Sequence, residues 1–319
     1  MLPETNFVMS DVLRLVTTKY WVQEEDLPEV LLKSASELPV LVYGKSGLLT
    51  KNPKLPSQSK TNFWKTMASP ISSVYFDSEN LDLYRERIKR SEGAQLVRCR
   101  WYGKNKPKPD KLVFLELKTH HECWINNKSV KERVNVLQRR MNDLIDISDG
   151  RWSKEKAQAI VMEANESNGD EVSQEEMESS RDLLLEIRDI FCRLHLKPCV
   201  RTSYTRVAFQ NPDNNNLRLT IDRDITVIDE LQAFNAKEQS VIKSWCIEDT
   251  DSVPIESFVK VPYGVFEVKV SVGESPLFVE DMIASEAIVV APKFSKFLTG
   301  ASLHNFSRTV SNKRWQSVF

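Results

Sequence analysis

Five segments of the sequence alternate apolar with polar side chains, which is typical of strands that bury one face. They are rich in β-branched and aromatic residues, and turn-forming residues bound several of them. They cover residues 97–102, 112–119, 200–210, 217–222 and 263–270. Parallel strands buried on both faces would instead read as continuous apolar runs. The chain is therefore predicted to be an α+β protein built on antiparallel strands.

The polar faces of these segments carry long charged side chains at positions i and i+2, which share one face of a strand. The groups are Arg98, Arg100 and Tyr102; Glu116 and Lys118; Tyr204 and Arg206; Arg218, Thr220 and Asp222; and Glu267 and Lys269. One interpretation is a sheet whose outer face meets water. The other is a barrel closed around a charged aqueous interior, which at about eight strands can hold one ligand. The pattern alone is compatible with both.

A barrel interior of this kind would require a ligand of opposite charge. The faces together hold six cations and three anions, and a net-positive lining away from water is costly unless an anion fills it. Arginine matches phosphate oxygens bidentately and lysine supplies a point charge. Carboxylates among these cations suit a hard divalent cation. The second interpretation thus predicts a site for several phosphates and a metal.

The total charge of the chain conceals this bias. The sequence has 44 Lys and Arg against 45 Asp and Glu, a net charge of −1. Residues 157–180 hold seven acids and no base, so the rest has 44 basic and 38 acidic residues and a net charge of +6. We expect this interval to be a solvated loop plus the acidic first turn of a helix. The near-neutral total therefore does not exclude a polyanionic ligand, although no nucleic-acid partner is expected.

Four segments are predicted to be helices, and they are expected to flank the strands. They are residues 26–37, 129–147, 154–163 and a helix that begins at Ser173 and is stopped by Pro198. Ser173 and Glu176 have the spacing of a capping box. In 129–147, apolar residues recur at spacings of 4, 3, 4 and 3, which fits one face of a helix.

The cysteines and the termini indicate a cytoplasmic protein. Five cysteines without a CxxC pair favour a reducing compartment. No apolar run approaches the roughly 20 residues of a membrane span. The N-terminus has neither the basic nor the apolar region of a signal peptide. We therefore expect no membrane span in this chain.

Several motifs resemble those of the vacuolar transporter chaperone (VTC) family. They are TTKYWV at 17–22, VYFD at 74–77, RCRWYG at 98–103, ELKTH at 116–120, RTSYTRVAFQ at 201–210, PYGVFEVK at 262–269 and PKFSKF at 292–297. The chain is similar to the central polyphosphate-polymerase domain of that family, within the triphosphate tunnel metalloenzyme superfamily. The resemblance implies an antiparallel β-barrel tunnel flanked by helices, forming a single domain over residues 1–319.

The resemblance also implies an activity and a set of site residues. The enzyme would cleave ATP and add its γ-phosphate to a growing polyphosphate chain. The implied catalytic residues are Lys19, Arg98, Arg100, Lys118, Arg206, Arg218 and Lys296. The implied substrate-binding residues are Lys131, Tyr204, Lys269, Lys293 and Ser295, and Glu267 matches the ligand of Mn²⁺ or Mg²⁺. Tyr204 and Ser295 would act as hydroxyl partners of the basic residues.

Catalytic members of the family commonly read Glu-Arg-Lys-Thr-His-Arg where this chain has Leu117 and His121. Both changes remove a positive charge. Alternation places Leu117 opposite Lys118, so we expect little effect of Leu117 on the tunnel, and we expect His121 at the tunnel mouth. All the placed basic positions are present, which favours a catalytic subunit. The alternatives are an accessory subunit that binds polyphosphate and a tunnel-fold triphosphatase.

Complete family members also carry an N-terminal SPX domain and C-terminal membrane helices. Neither is found in this sequence, so we expect an excised domain or a soluble variant. The resemblance implies that other VTC subunits are partners through those missing regions. It also implies that the full-length protein lies at the cytosolic face of the vacuole or acidocalcisome membrane.

Overall fold

The structure is a computed structural model that describes residues 15–41, 49–50, 67–121, 130–169, 171–211, 216–231, 244–248, 258–274, 276–292 and 294–309. Its strands are β1 Leu15–Gln23, β2 Val40–Leu41, β3 Leu49–Thr50, β4 Ser69–Asp77, β5 Gln95–Tyr102, β6 Leu112–Thr119, β7 Val130–Leu137, β8 Lys197–Gln210, β9 Leu217–Asp229, β10 Phe258–Lys260, β11 Tyr263–Ser271 and β12 Ile288–Val290. Its helices are α1 Leu27–Glu37, α2 Asp82–Lys89, α3 Arg140–Ile145, α4 Lys154–Asn168, α5 Gln174–Leu194, α6 Leu277–Ile283 and α7 Lys296–Thr309. The predicted α+β class and the five predicted strands are confirmed.

The chain forms two compact units. The first comprises Met1–Ser69, Arg206–Arg223 and Pro262–Lys293, and the second comprises the remaining residues. Strands β8 and β9 contribute residues to both units. The single domain expected over residues 1–319 stays a prediction.

In the first unit, antiparallel strands follow the order β12, β1, β11, β9. Its core contains Val22, Leu27 and Phe266, with further apolar residues of α1 and α6. Helix α1 approaches β11 closely at Gly264, where an added Cβ would lie 2.4 Å from Cδ2 of Leu27. The missing side chain at Gly264 therefore lets α1 pack directly onto the sheet.

In the second unit, β4, β5, β6 and β7 form consecutive antiparallel pairs. Helices α4 and α5 pack on each other and against β7. The core contains Phe76 of β4, whose ring meets Phe191 of α5 edge to face at 5.0 Å. Trp101 and Trp245 make a second edge-to-face contact at 5.5 Å. The apolar faces of these strands therefore lie against helices, while their other faces carry the charged side chains.

The helix predicted over residues 129–147 is wrong. Val130–Leu137 is strand β7, paired with β6 from Val130 opposite Thr119 to Leu137 opposite Leu112, and helix α3 begins only at Arg140. Val134 and Val136 are buried two residues apart, which is the period of a strand. The apolar spacing suited a helix, but pairing with β6 and the β-branched valines favoured a strand.

The acidic interval 157–180 is mostly helical, so the loop expected there is largely wrong. Helix α4 continues to Asn168 and ends at Gly169 in the left-handed conformation, with φ +73°. Buried Ala157, Ile160 and Ala164 give α4 an apolar stripe beneath its charged surface. The capping box that starts α5 is confirmed, since Ser173 and Glu176 exchange both hydrogen bonds.

Candidate functional site

Basic side chains of the second unit collect on neighbouring strands β5, β6 and β7. We call this group the β5–β7 cluster; its members are Arg98, Arg100, Glu116, Lys118, Lys131 and Arg133. The register sets Glu116 opposite both Arg98 and Arg133, and Lys118 opposite Lys131. Residues directly opposite on antiparallel strands point to the same face. Alternation along each strand and pairing between strands thus place five cations and one carboxylate together.

Glu116 lies at the centre of the cluster and is fully buried. Its Oε2 accepts from Arg98 Nε at 2.5 Å and also from Arg98 Nη2. Its Oε1 accepts from Lys131 Nζ at 2.7 Å, from Arg133 Nη2 at 2.6 Å and from Arg133 Nε at 3.0 Å. Burial alone would raise the pKa of Glu116, but the charges of Arg98, Arg100 and Lys131, with the hydrogen bond from Lys131, outweigh it and hold that pKa well below its usual range. Glu116 is therefore an anion that binds three basic side chains.

The pKa of Lys131 is also shifted by this environment. Burial, together with the charges of Arg133 and Arg98, lowers the pKa of Lys131 to about 8, although the hydrogen bond to Glu116 and the charge of Glu116 raise it. At neutral pH the side chain is charged, and it loses its proton at a pH where an ordinary lysine keeps one.

Arg98 and Arg100 each have hydroxyl partners. Arg98 Nη1 donates to Tyr75 Oη at 3.2 Å. Arg100 donates from Nε to Ser73 Oγ at 3.1 Å and from Nη2 to Tyr204 Oη at 3.1 Å. These contacts fix the planes of both guanidinium groups on the strand surface.

The start of α7 lies beside these hydroxyl groups. Lys296 Nζ is 4.4 Å from the centroid of the Tyr204 ring, a cation–π contact. The next residue, Phe297, is buried and stacks on Tyr75 at 5.2 Å. Ser295 precedes the helix, and its carbonyl oxygen accepts from the Thr299 N–H at 2.9 Å. Packing of α7 therefore brings Lys296 to Tyr204, the residue that Arg100 contacts.

The first unit carries a charged group around Glu267. Glu267 of β11 is opposite Lys19 of β1 and Thr220 of β9, while Lys269 is opposite Arg218. The carboxylate lies 3.4 Å from Lys269 Nζ and 3.9 Å from Lys19 Nζ. Pairing of three strands thus brings together four of the predicted residues.

Arg206 belongs to the same unit and pairs with Asp222 of β9. Its Nε and Nη2 donate to the two carboxylate oxygens at 2.6 and 2.8 Å, and Asp222 is buried. Asp222, Thr220 and Arg218 lie on one face of β9 by alternation. The bidentate pair holds the Arg206 guanidinium in one plane.

Glu267 suits a metal ion whose other ligands are phosphate oxygens and water. The side chain of Glu267 is 15% exposed. Across the described residues, no group of three or more His, Cys, Asp or Glu side chains converges. Mg²⁺ is commonly held by one or two carboxylates, with substrate phosphates and water completing its shell. Glu267 therefore fits one protein ligand of such a metal.

Leu117 and His121, the two positions at which catalytic family members commonly have arginine, lie in different environments. Leu117 is fully buried in the core, opposite in direction to Lys118, as alternation predicts. His121 Nδ1 lies 2.5 Å from Glu92 Oε1 at the surface end of β6. The expected position of His121 at a tunnel mouth stays a prediction, and predicted Lys293 lies outside the described residues.

Sequence reasoning missed several partners of the predicted cations. Arg133, Tyr75 and Ser73 were not among the site residues, and Glu116 had no assigned partner. Arg133 follows Lys131 at i+2, a signal that appears only when Val130–Leu137 is understood as a strand. The roles of the predicted site residues stay predictions.

Antiparallel strands gather arginine and lysine side chains into clusters, so the chain is an α+β protein with strongly basic strand faces. The VTC domain family model matches residues 15–305, so the chain belongs to the VTC domain family.

Two relatives illustrate this similarity. The chain is 30% identical over 308 residues to vacuolar transporter chaperone complex subunit 4 of Schizosaccharomyces pombe, covering 94% of this chain and 38% of the relative. It is 26% identical over 306 residues to subunit 2 of the same complex and organism, covering 92% and 38%. The chain thus spans less than two fifths of the length of these relatives.

One solved structure that the chain is similar to is a putative adenylyl cyclase from Hippeastrum with a dominant triphosphatase activity. It is similar at 10% identity and a TM-score of 0.38, covering 91% of this chain and 96% of that chain.

Of the helices in the described part of the chain, none combines the length and the apolar character needed to cross a bilayer.

Proposed function

We propose that this chain is an ATP-dependent polyphosphate polymerase, which transfers the γ-phosphate of ATP to a growing inorganic polyphosphate chain in a basic, metal-dependent tunnel. Membership of the VTC domain family supports the proposal, and the activity and the tunnel come from the family resemblance. The observation that carries it is the β5–β7 cluster, in which five cations accompany one buried carboxylate. Such an excess of positive charge on one strand surface suits a ligand with several phosphates.

The basic residues would act by positioning and by charge neutralisation. Seven side chains are proposed to stabilise the negative charge of the transferred phosphoryl group: Lys19, Arg98, Arg100, Lys118, Arg206, Arg218 and Lys296. Five others are proposed to bind the phosphates of substrate and product: Lys131, Tyr204, Lys269, Lys293 and Ser295.

The reaction needs no protein nucleophile. A terminal oxygen of polyphosphate, or of phosphate in priming, would attack the γ-phosphorus of ATP in line. The new bond joins that oxygen to the γ-phosphorus, the bond from the γ-phosphorus to the β–γ bridging oxygen breaks, and ADP leaves with the electron pair. The polymer grows by one phosphate in each cycle.

Glu267 is proposed to hold Mn²⁺ or Mg²⁺ together with phosphate oxygens. When bound, such a cation offsets the charge of the triphosphate and polarises its oxygens. Lys19 and Lys269, at 3.9 and 3.4 Å from the carboxylate, would orient Glu267.

A non-catalytic accessory subunit is the second candidate, since subunit 2 of the complex is also a relative. The third is a triphosphatase that uses water as the acceptor. Incubation of the chain with ATP and Mn²⁺, with polymer and free phosphate measured together, tests all three. Polymer supports the polymerase, and phosphate without polymer supports the triphosphatase. Neither product, with polyphosphate still bound, supports the accessory subunit.

The partners and location are proposed from the same relatives. These relatives are subunits of the vacuolar transporter chaperone complex. We propose that this chain also works with other VTC subunits, on the cytosolic face of a vacuole or acidocalcisome membrane. Co-purification with those subunits from cells that express the full-length protein would test this assignment.

A further inference from the structure

We propose that Glu116 is a positioning residue, which sets the spacing and the protonation of the cations that meet the phosphates and does not serve as a metal ligand. The inference rests on the proposed function for the class of ligand, a chain of phosphates. It concerns a carboxylate that has no assigned role in the proposed reaction.

The first argument is the number of donors on one carboxylate. Arg98 donates two N–H groups to Oε2, while Lys131 and Arg133 together donate three to Oε1. A metal at Glu116 would have to displace charged donors from a fully buried group. The lysine nitrogens beside the carboxylate of Glu267 lie farther away, at 3.4 and 3.9 Å.

The second argument is geometric. Glu116 lies on the middle strand of three, with Arg98 on one neighbour and Lys131 and Arg133 on the other. Three long side chains with many rotamers are thereby held at one point before a ligand arrives. Binding then costs less side-chain entropy than it would with free cations.

The third argument is electrostatic. Four charged groups face Lys131: Glu116 and Lys118 from β6, Arg98 from β5 and Arg133 from β7. Glu116 raises the pKa of Lys131, whereas Arg133 and Arg98 lower it. Glu116 therefore helps to keep Lys131 charged at physiological pH despite its cationic neighbours.

The substitution Glu116→Gln has opposite expected effects on anion binding if Glu116 positions the cations and if it acts only as a negative charge. If Glu116 were only an opposing charge, Glu116→Gln would tighten the binding of an anion. If it positions the cations, the same substitution weakens binding, because Arg98 and Arg133 lose a charged acceptor. We expect a loss of about tenfold in affinity for inorganic triphosphate at pH 7.

The experiment measures triphosphate affinity by calorimetry from pH 6.5 to 9.5, without metal. In Glu116→Gln, the midpoint of the alkaline loss of affinity should move to lower pH. In Arg133→Gln, which removes a cation whose side chain is 37% exposed, the midpoint should move to higher pH. Lys131→Arg identifies the part of the profile that belongs to Lys131, because triphosphate itself also titrates. Opposite shifts in the two variants are a readout that a merely structural role would not move.

Glu163→Gln is the matched control. Glu163 also binds two arginines, Arg139 at 2.6 Å and Arg140 at 2.7 Å, and it lies in the same unit outside the cluster. Glu163→Gln removes the same charge as Glu116→Gln, so the affinity for triphosphate and the midpoint of its alkaline loss should stay unchanged. If Glu116→Gln does not fold, as judged by thermal unfolding, Glu116→Asp decides the question: it keeps the charge but shortens the reach to Arg98 and Arg133, so it should weaken triphosphate binding if Glu116 positions them and leave binding unchanged if only its charge matters.

Three results would overturn the inference: tighter triphosphate binding by Glu116→Gln, an unmoved midpoint in Arg133→Gln, or a selective loss of Mn²⁺ affinity in Glu116→Gln. Polymer synthesis is scored separately. A chain that binds triphosphate with these shifts but makes no polymer contradicts the polymerase and leaves the role of Glu116 intact. A polymerase whose midpoint ignores both substitutions contradicts only the role of Glu116.

Discussion

Arg206 and Asp222 form a bidentate pair, with guanidinium nitrogens 2.6 and 2.8 Å from the two carboxylate oxygens. Asp222 is 1% exposed, whereas the Arg206 side chain is 16% exposed. The buried carboxylate of Asp222 thus holds the Arg206 guanidinium in place, and part of the Arg206 side chain remains exposed to solvent. A planar cation held in this way can meet phosphate oxygens without first losing rotamer freedom.

Arg206→Lys should therefore weaken triphosphate binding although the charge is kept. A lysine ammonium is a point charge that cannot reproduce the planar fork, so we expect about a tenfold loss of affinity. Calorimetric titration with inorganic triphosphate measures it. Arg193→Lys, at an exposed position at the end of α5, is the control and should change nothing. Equal affinity in Arg206→Lys and the unmodified chain would show that Arg206 serves only its ion pair.

Glu267→Gln should lower Mn²⁺ affinity by about tenfold or more when triphosphate is present, because an amide is a poorer ligand than a carboxylate for a hard cation. The effect without triphosphate should be small, since Glu267 is expected to share the metal with phosphate oxygens. Mn²⁺ titration by electron paramagnetic resonance, with and without triphosphate, separates the two cases. Glu274→Gln removes the same charge from the same unit and should behave as the unmodified chain does. An unchanged titration in Glu267→Gln would remove Glu267 from the metal site.

Triphosphate binding should take up protons at pH 8. The pKa of Lys131 is about 8 in the absence of a ligand, and a bound phosphate stabilises the charged form and raises that pKa. Lys131 is half protonated at pH 8, so binding should take up about half a proton there, and affinity should fall as pH rises further. Calorimetry in two buffers with different ionisation enthalpies measures the uptake. Lys131→Arg should lose this contribution, and an equal uptake in both proteins would mean that Lys131 does not meet the ligand.

The strand faces could be predicted from the sequence because a two-residue alternation is a local property. Arg98 with Arg100 and Glu267 with Lys269 required only that each segment be extended. The strand Val130–Leu137 could not be predicted in this way. Val130 and Val134 are four apart, a spacing that fits one helix face and also one strand face. Only pairing with β6 decides between them, and that is a tertiary interaction.

Because Val130–Leu137 was predicted to be a helix, Glu116 could not be predicted as the centre of the candidate site. A carboxylate among cations suggested a metal ligand, and nothing local distinguishes Glu116 from Glu267 in that respect. The difference arises from register, since Glu116 lies opposite Arg98 and Arg133, while Glu267 lies opposite Lys19 and Thr220. Burial and partners that come from distant segments therefore determine what each carboxylate does.

Asp77 provides a stability prediction away from the charged clusters. It ends β4, and its buried carboxylate accepts from the N–H groups of Ser78 at 2.8 Å, Leu83 at 2.9 Å and Tyr84 at 2.9 Å. The residue before α2, Leu81, provides no side-chain cap. Asp77 thus satisfies the first N–H groups of α2 from outside the helix.

Asp77→Ala should lower the free energy of unfolding by about 3 kcal/mol, because it leaves buried N–H donors without their acceptor. Urea unfolding followed by circular dichroism measures the change. Asp77→Asn keeps one acceptor oxygen and should lose less. Glu79→Ala, at an exposed position that contacts Lys197 at 3.4 Å, is the control and should stay within about 0.5 kcal/mol. Equal unfolding midpoints for Asp77→Ala and Glu79→Ala would mean that water replaces the carboxylate at the start of α2.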